Sequence, residues 1–456
     1  MTLTAPPVTE SRPEGALRGT LRARHLGMLA MGGVIGSGLF VGSGAGIAAA
    51  GPGIVLSFAA AGVLTVLVMR MMAEMAAAHP SSGSFSEHAE RAFGAWAGFT
   101  IGWMYWLTLV VVLALESTAA AVIVHGWLPA VPQWLLVLLF MAVFTAVNLT
   151  AVGNFGEFEF WFALVKVAAI VGFLVIGVLA IAGVLPGGDA GALEGDLLPH
   201  GWAGVAAGLT TAVPAFGGLE VVTIAAAESD DPARATGRAV RAAVWRIAVF
   251  YLGSMAVVVT LLPWSDPQVG AGPFAAVLDH VGVPAAGQVM RVVVLIALLS
   301  ALNANTYAAA RMAFSLARRR QAPALLARLG RTGVPHHAVL ASAAFGFVGV
   351  VLNLLWPRTV FLHLLDAVGT VLLLVWILVA CSQLRLRPRL PAGSPVRMWG
   401  HPYLSWAALA AMVALLGLML VDPGTRIQLI SSAVLALVVL AVALIRGRRA
   451  TAAAEQ

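Results

Sequence analysis

The sequence predicts an all-α polytopic membrane protein with twelve transmembrane helices, and composition, run length and the lack of alternation carry that prediction. Of its 456 residues, 60% are hydrophobic and 10% are charged, where soluble domains hold about 45–50% and about 25%. Mean hydropathy is +0.94. A span needs about 20 apolar residues to cross roughly 30 Å of hydrocarbon, and the chain holds twelve such windows. These runs are continuous and far longer than the alternating strands of about 10 residues that build a β-barrel. The composition excludes an ordinary soluble enzyme, a disordered chain and a fibrous protein. A single cysteine, Cys381, leaves no internal disulfide and no cysteine-rich metal site.

Taken in order, residues 1–25 form a polar tail with no hydrophobic core of a signal peptide, so cleavage is not expected. The transmembrane domain runs over 26–446, with windows near 26–50, 54–78, 97–125, 131–152, 160–185, 202–226, 243–263, 286–312, 338–356, 360–384, 404–421 and 427–445. The segment 447–456 is a second tail, and 1–20 and 447–456 read as disordered. The formal charge of +7 by itself suggests a nucleic-acid partner, but its placement argues otherwise. With an even number of spans, 22 of the 26 arginines fall on the side that carries both termini, including Arg234, Arg238, Arg241 and Arg246 after the sixth window. Only Arg291, Arg358 and Arg426 fall opposite, and Arg70 lies within the second span. By the positive-inside rule both termini are expected in the cytoplasm. The basic balance orients the chain in a bilayer, and no nucleic-acid partner is expected.

Two windows carry signs of interruption. The first holds Gly32, Gly33, Gly36, Gly38 and Gly42, and each glycine costs a helix interior about 1 kcal/mol relative to alanine. The sixth holds Val213-Pro214-Ala215-Phe216-Gly217-Gly218, where proline removes a donor ahead of two flexible residues. Close helix packing explains the glycines and a simple kink explains the proline, if each is read alone. Together they open two five-span halves, about 26–185 and 202–384, and paired interruptions point to the binding site of a secondary transporter. An odd number of spans per half inserts the second half upside down, and 404–445 adds two helices. A helix unwound in mid-membrane offers free N–H groups to a carboxylate and free carbonyls to an ammonium, so such a site receives a zwitterion. Phe216, beside the break, is either a gate over that site or an ordinary core aromatic.

Ionisable residues inside the spans are costly and mark function. Lys166 is the only lysine in the chain and lies about six residues from the inner end of the fifth span. It either snorkels to the interface or serves as a buried amine that titrates, which a guanidinium does not do. Glu116 lies in the outer half of the third span and Glu220 directly follows the break in the sixth. Each is either an interhelical hydrogen-bonding carboxyl or a proton carrier. Asp366 reads as interfacial, and Glu74 and Glu228 as loop anchors. Asn303 and Asn305, with Ser300 and Thr306, put polar atoms on the eighth span, for interhelical hydrogen bonds or for substrate; Asn303 is the candidate substrate contact. No P-loop, H-E-x-x-H or metal-spaced histidine set occurs, so neither ATP-driven pumping nor a bound metal or other cofactor is expected.

Several stretches resemble amino acid permeases of the amino acid–polyamine–organocation superfamily. They include Arg24-His25-Leu26-Gly27, Gly33-Val34-Ile35-Gly36-Ser37-Gly38-Leu39-Phe40, His79-Pro80-Ser81-Ser82-Gly83-Ser84-Phe85 and Asn154-Phe155-Gly156-Glu157-Phe158-Glu159-Phe160-Trp161. Phe216-Gly217-Gly218-Leu219-Glu220, Ala226-Ala227-Glu228-Ser229-Asp230-Asp231-Pro232 and Met398-Trp399-Gly400-His401-Pro402-Tyr403 continue the match. Within the family the chain is most similar to GABA (4-aminobutyrate) permeases, through Thr100-Ile101-Gly102-Trp103-Met104-Tyr105-Trp106, Leu115-Glu116 and Val222-Thr223-Ile224-Ala225. At Pro214-Ala215-Phe216-Gly217-Gly218-Leu219 it follows the general amino acid permease pattern instead. The resemblance implies a LeuT-like five-plus-five inverted repeat plus two helices, and proton-coupled import of GABA or a related amino acid across the cell membrane. It also implies that Ile35, Gly36, Ser37 and Gly38 bind the substrate carboxylate, while Ala215, Phe216 and Gly217 meet the amino group or gate it. Lys166 stands where sodium-coupled relatives bind a cation, and with Glu220 it is the candidate for proton coupling. Glu116 joins the candidate substrate contacts. The rival readings are an exchanger, a permease for proline or aromatic amino acids, and a non-transporting sensor; a membrane hydrolase lacks a visible catalytic set.

Overall fold

The computed structural model describes residues 35–78, 84–150, 155–185, 196–218, 240–330, 333–390 and 396–454. Among them every regular element is helical and no strand occurs. Ten stretches are long and apolar enough to cross a membrane, so the chain is a multi-pass membrane protein. Lipid offers backbone groups no hydrogen bonds, and helices meet that requirement within their own segment.

Nine of these stretches coincide with one predicted window each, from Ala95–Trp127 to Thr425–Arg446. The difference from the expected twelve has two causes. The first two windows appear as a single run, Gly38–Ala78, turned at Gly51-Pro52-Gly53 by a backbone with φ of +61° at Gly51. The sixth window is described only as far as Gly218, and that part holds the 12-residue helix Gly201–Ala212. It passes into a 3₁₀ turn at Val213–Phe216 and then leaves helical geometry, with Gly217 extended and Gly218 at φ +93°. Arg246, counted among the arginines of the inner side, lies near the start of the run Val240–Leu261 and is buried.

The spans divide into a core and a periphery. Ala95–Trp127 and Val360–Arg389 are each 67% buried over their most apolar window, whereas Thr425–Arg446 is 17% buried. All are apolar on every side, so sequence periodicity does not distinguish a protein-facing span from a lipid-facing one. At one end of the bundle, polar ties cross between elements. Glu74 pairs with Arg387 and accepts from Gln383 Nε2 at 2.7 Å. The short helix Ser84–Phe93 is held by Arg319, which donates to Ser86 Oγ at 2.6 Å and Glu90 Oε2 at 2.9 Å.

Small residues set how closely the broken sixth element packs on the first two. A Cβ on Gly208 meets Ser57 Oγ at 2.7 Å and the Ala50 Cβ at 2.8 Å. We therefore expect Gly208→Leu to destabilise the protein by about 1–3 kcal/mol through overpacking, read as a lower unfolding temperature in detergent. Gly417→Leu, where nothing lies within 4 Å, leaves that temperature unchanged or raises it.

Candidate functional site

The site begins where the first described element starts. Ile35 and Gly36 are not helical, and a π-helical turn follows over Gly38–Gly42 before the helix Ser43–Ala50. π-turns interrupt the regular hydrogen-bond ladder and recur at functional sites. The glycine at 38 is demanded by a close approach: a Cβ there lies 2.5 Å from Ala215 Cα and 2.9 Å from Ala215 N. The two broken elements therefore touch backbone to backbone, bringing Gly38 against the Val213–Phe216 turn.

Between Ile35 and Gly38 the exposed backbone has found a partner. Ser37 N–H donates to both carboxylate oxygens of Glu116 at 3.2 Å, and Ser37 Oγ donates to Oε1 at 2.9 Å. Glu116 arrives from the helix Ala95–Trp127 and is 5% exposed. A Cβ on Gly36 meets Glu116 Oε1 at 2.6 Å, so glycine at 36 makes room for the carboxylate. The break thus binds a carboxylate, as its chemistry predicts, and the carboxylate it binds here belongs to the protein.

Lys166 is fully buried on the helix Phe155–Ile181. Its Nζ lies 3.9 Å from Glu159 Oε1, and Glu159 is equally buried. Electrostatic interaction links Lys166 to both Glu159 and Glu116. Glu159 Oε1 also accepts from Ser300 Oγ at 2.8 Å, and Ala301, the next residue, faces Gly36. Two buried acids and one buried base make a set whose formal charge is −1 when all are ionised, so one added proton neutralises it.

The remaining candidates divide. Asn303 Oδ1 accepts from Asn148 Nδ2 at 2.9 Å, a bond between the helices Ala286–Arg318 and Gln133–Thr150. Phe216 is fully buried, stacked on Tyr251 at 4.7 Å between ring centres and 5.9 Å from Phe58. Ala215 and Gly217 flank it in the turn against Gly38. Glu220 lies outside the described residues. Arg246 leaves Nε and Nη1 without hydrogen-bond partners on the same run as Tyr251. The sequence reading missed Glu159 as the counter-ion of Lys166. Their spacing of seven residues puts both on one helix face about two turns apart, and a lysine side chain leans toward the helix N-terminus. That signal was present. The pairing of Ser37 with Glu116 had none, because the two are 79 residues apart.

A sequence profile described as Amino acid permease matches residues 25–454. The chain belongs to the amino acid permease family. It is similar to a probable GABA permease of Pseudomonas aeruginosa, 45% identical over 94% of this chain and 92% of that protein. It resembles the gamma-aminobutyric acid permease of Bacillus subtilis at 42% identity, over 94% of both chains. It resembles the aromatic amino acid transport protein AroP of Corynebacterium glutamicum at 46%, over 91% of this chain and 92% of that one. The permease is thus a transporter of amino acids rather than an enzyme.

The contact between the two breaks is testable. Gly38→Ala forces backbone apart and is expected to cost about 1–3 kcal/mol, measured as a lower unfolding temperature of the purified permease. A wild-type temperature refutes the close approach.

Proposed function

We propose that the permease imports GABA or a related amino acid together with a proton across the cell membrane, with both termini in the cytoplasm. In this reading twelve helices form a LeuT-like five-plus-five inverted repeat plus two, and the zwitterion binds between the breaks at 35–38 and 215–217. The observation that carries the reading is the Glu116 carboxylate on the Ser37 N–H and hydroxyl, beside the buried pair of Lys166 and Glu159.

That contact supplies a mechanism for coupling. A substrate carboxylate and an ionised Glu116 compete for the same donors. Hydrogen bonds to an ionised acceptor are roughly twice as strong as neutral ones, so protonating Glu116 loosens its hold and frees Ser37 for the substrate. Proton and substrate then favour each other's binding, as linkage requires. Lys166 neutralises the site. With its proton it braces the first, fifth and eighth spans in the outward-facing state, and its deprotonation releases the inner gate.

Import of an aromatic amino acid is the second reading, favoured by the 46% identity to AroP. Uptake of a labelled amino acid panel into proteoliposomes, with an inside-alkaline pH gradient and with an uncoupler, tests both. We expect accumulation of GABA that the uncoupler abolishes. Accumulation of phenylalanine or tryptophan in preference to GABA selects the second reading, and accumulation of no amino acid removes both. Lys166→Ala is expected to lower pH-driven uptake by about tenfold or more, and full uptake by that variant sinks its coupling role. Ser37→Leu is expected to abolish binding while the protein still inserts, and normal affinity in an equilibrium binding assay overturns the placement of the site.

A further inference from the structure

We propose that Glu159 is a second proton carrier of the permease, taking the proton from Lys166 and passing it toward the cytoplasm. The inference rests on the proton-coupled reading above and assigns the exit step of that cycle.

The placement of Glu159 carries the argument. It stands four residues into the helix Phe155–Ile181, about 10 Å along the helix from Lys166 on its N-terminal side. In the proposed topology that side faces the cytoplasm. Although it lies near the N-terminal end of its helix, this carboxylate has no exposed surface. It is held inward by Ser300 on Oε1. Its other oxygen, Oε2, is buried with no hydrogen-bond partner. An ionised carboxylate left with an unsatisfied oxygen in a low-dielectric interior is costly, and a proton on Oε2 removes that cost. Lys166 itself has no exposed surface, so its proton needs an intermediate group to leave by.

The step balances simply. An N–H bond of the Lys166 ammonium breaks and its electron pair stays on Nζ. An O–H bond forms on Glu159, so the ion pair becomes a neutral amine and a neutral acid. Glu159 then releases the proton to water when the inner side opens, and once Lys166 has regained a proton from the outward-facing side the net result is one proton moved inward. The 3.9 Å from Nζ to Oε1 is longer than a hydrogen bond, so transfer takes a small approach of the two groups or one bridging water.

A counter-ion role for Glu159 predicts something different, and the test separates the two. Wild type, E159Q and E159D are reconstituted in proteoliposomes. Labelled GABA, or phenylalanine if the panel selects it, is followed in pH-driven accumulation and in exchange against internal unlabelled substrate, which needs no net proton release. We expect E159Q to lower accumulation by about tenfold or more and exchange by no more than about threefold. E159D is expected to keep accumulation with a shifted dependence on internal pH. Wild-type accumulation by E159Q overturns the proposal. So does equal loss of exchange and accumulation in a natively folded E159Q. If E159Q does not fold, E159D decides, and a wild-type internal pH profile in that variant overturns the proposal. Failure of the wild-type protein to accumulate any amino acid sinks the functional reading instead.

Discussion

Backbone donors left free inside a membrane must be satisfied within the protein, and here Ser37 does so on the carboxylate of Glu116. Much of the site follows from that contact. Gly36 has no side chain because the carboxylate occupies its place. The helix Ala95–Trp127 is deeply buried because it delivers that carboxylate to the centre of the bundle. Gly38 lets the Val213–Phe216 turn lie against the first break, so the two interruptions form one locus.

The same contact explains why the charged residues are arranged as they are. A buried carboxylate is tolerated when hydrogen bonds and an opposite charge compensate it. Glu116 has Ser37 as donor and Lys166 as the nearby cation, while Glu159 has Ser300 and the same lysine. One base between two acids leaves a deficit of one positive charge. In the proposed function a proton fills that deficit, without the size or the coordination shell a metal cation demands. Chemistry at the break and charge in the span beside it are therefore one system.

Away from this centre, polar contacts tie elements together at one end of the bundle. The ties from Glu74 to Arg387 and Gln383, and from Arg319 to Ser86 and Glu90, join segments far apart in sequence. The Arg319–Glu90 pair is partly exposed and of modest strength, whereas Glu74 is buried between Arg387 and Gln383. The last span, Thr425–Arg446, is the least buried of the ten, at 17% of its most apolar window.

Much was legible in the sequence because membranes impose a simple rule. Twenty apolar residues in a row have few alternatives to a helix, so the windows from 97–125 onward, the sixth excepted, coincide with observed helices, and Gly36, Gly38 and Pro214 lie where the described structure is not α-helical. Lys166 stood out as the only lysine, and Glu159 was within reach through its seven-residue spacing. The partners were not legible. Ser37 and Glu116, Asn303 and Asn148, and Phe216 and Tyr251 meet across long sequence separations, and nothing local encodes which apolar helix faces which. The sequence alone determined the spans, their weak points and the residues too costly to be there without purpose. Only the tertiary structure decided which of those residues share a site, because spans that are apolar on every side choose their neighbours by packing and by a few polar contacts rather than by any periodic face.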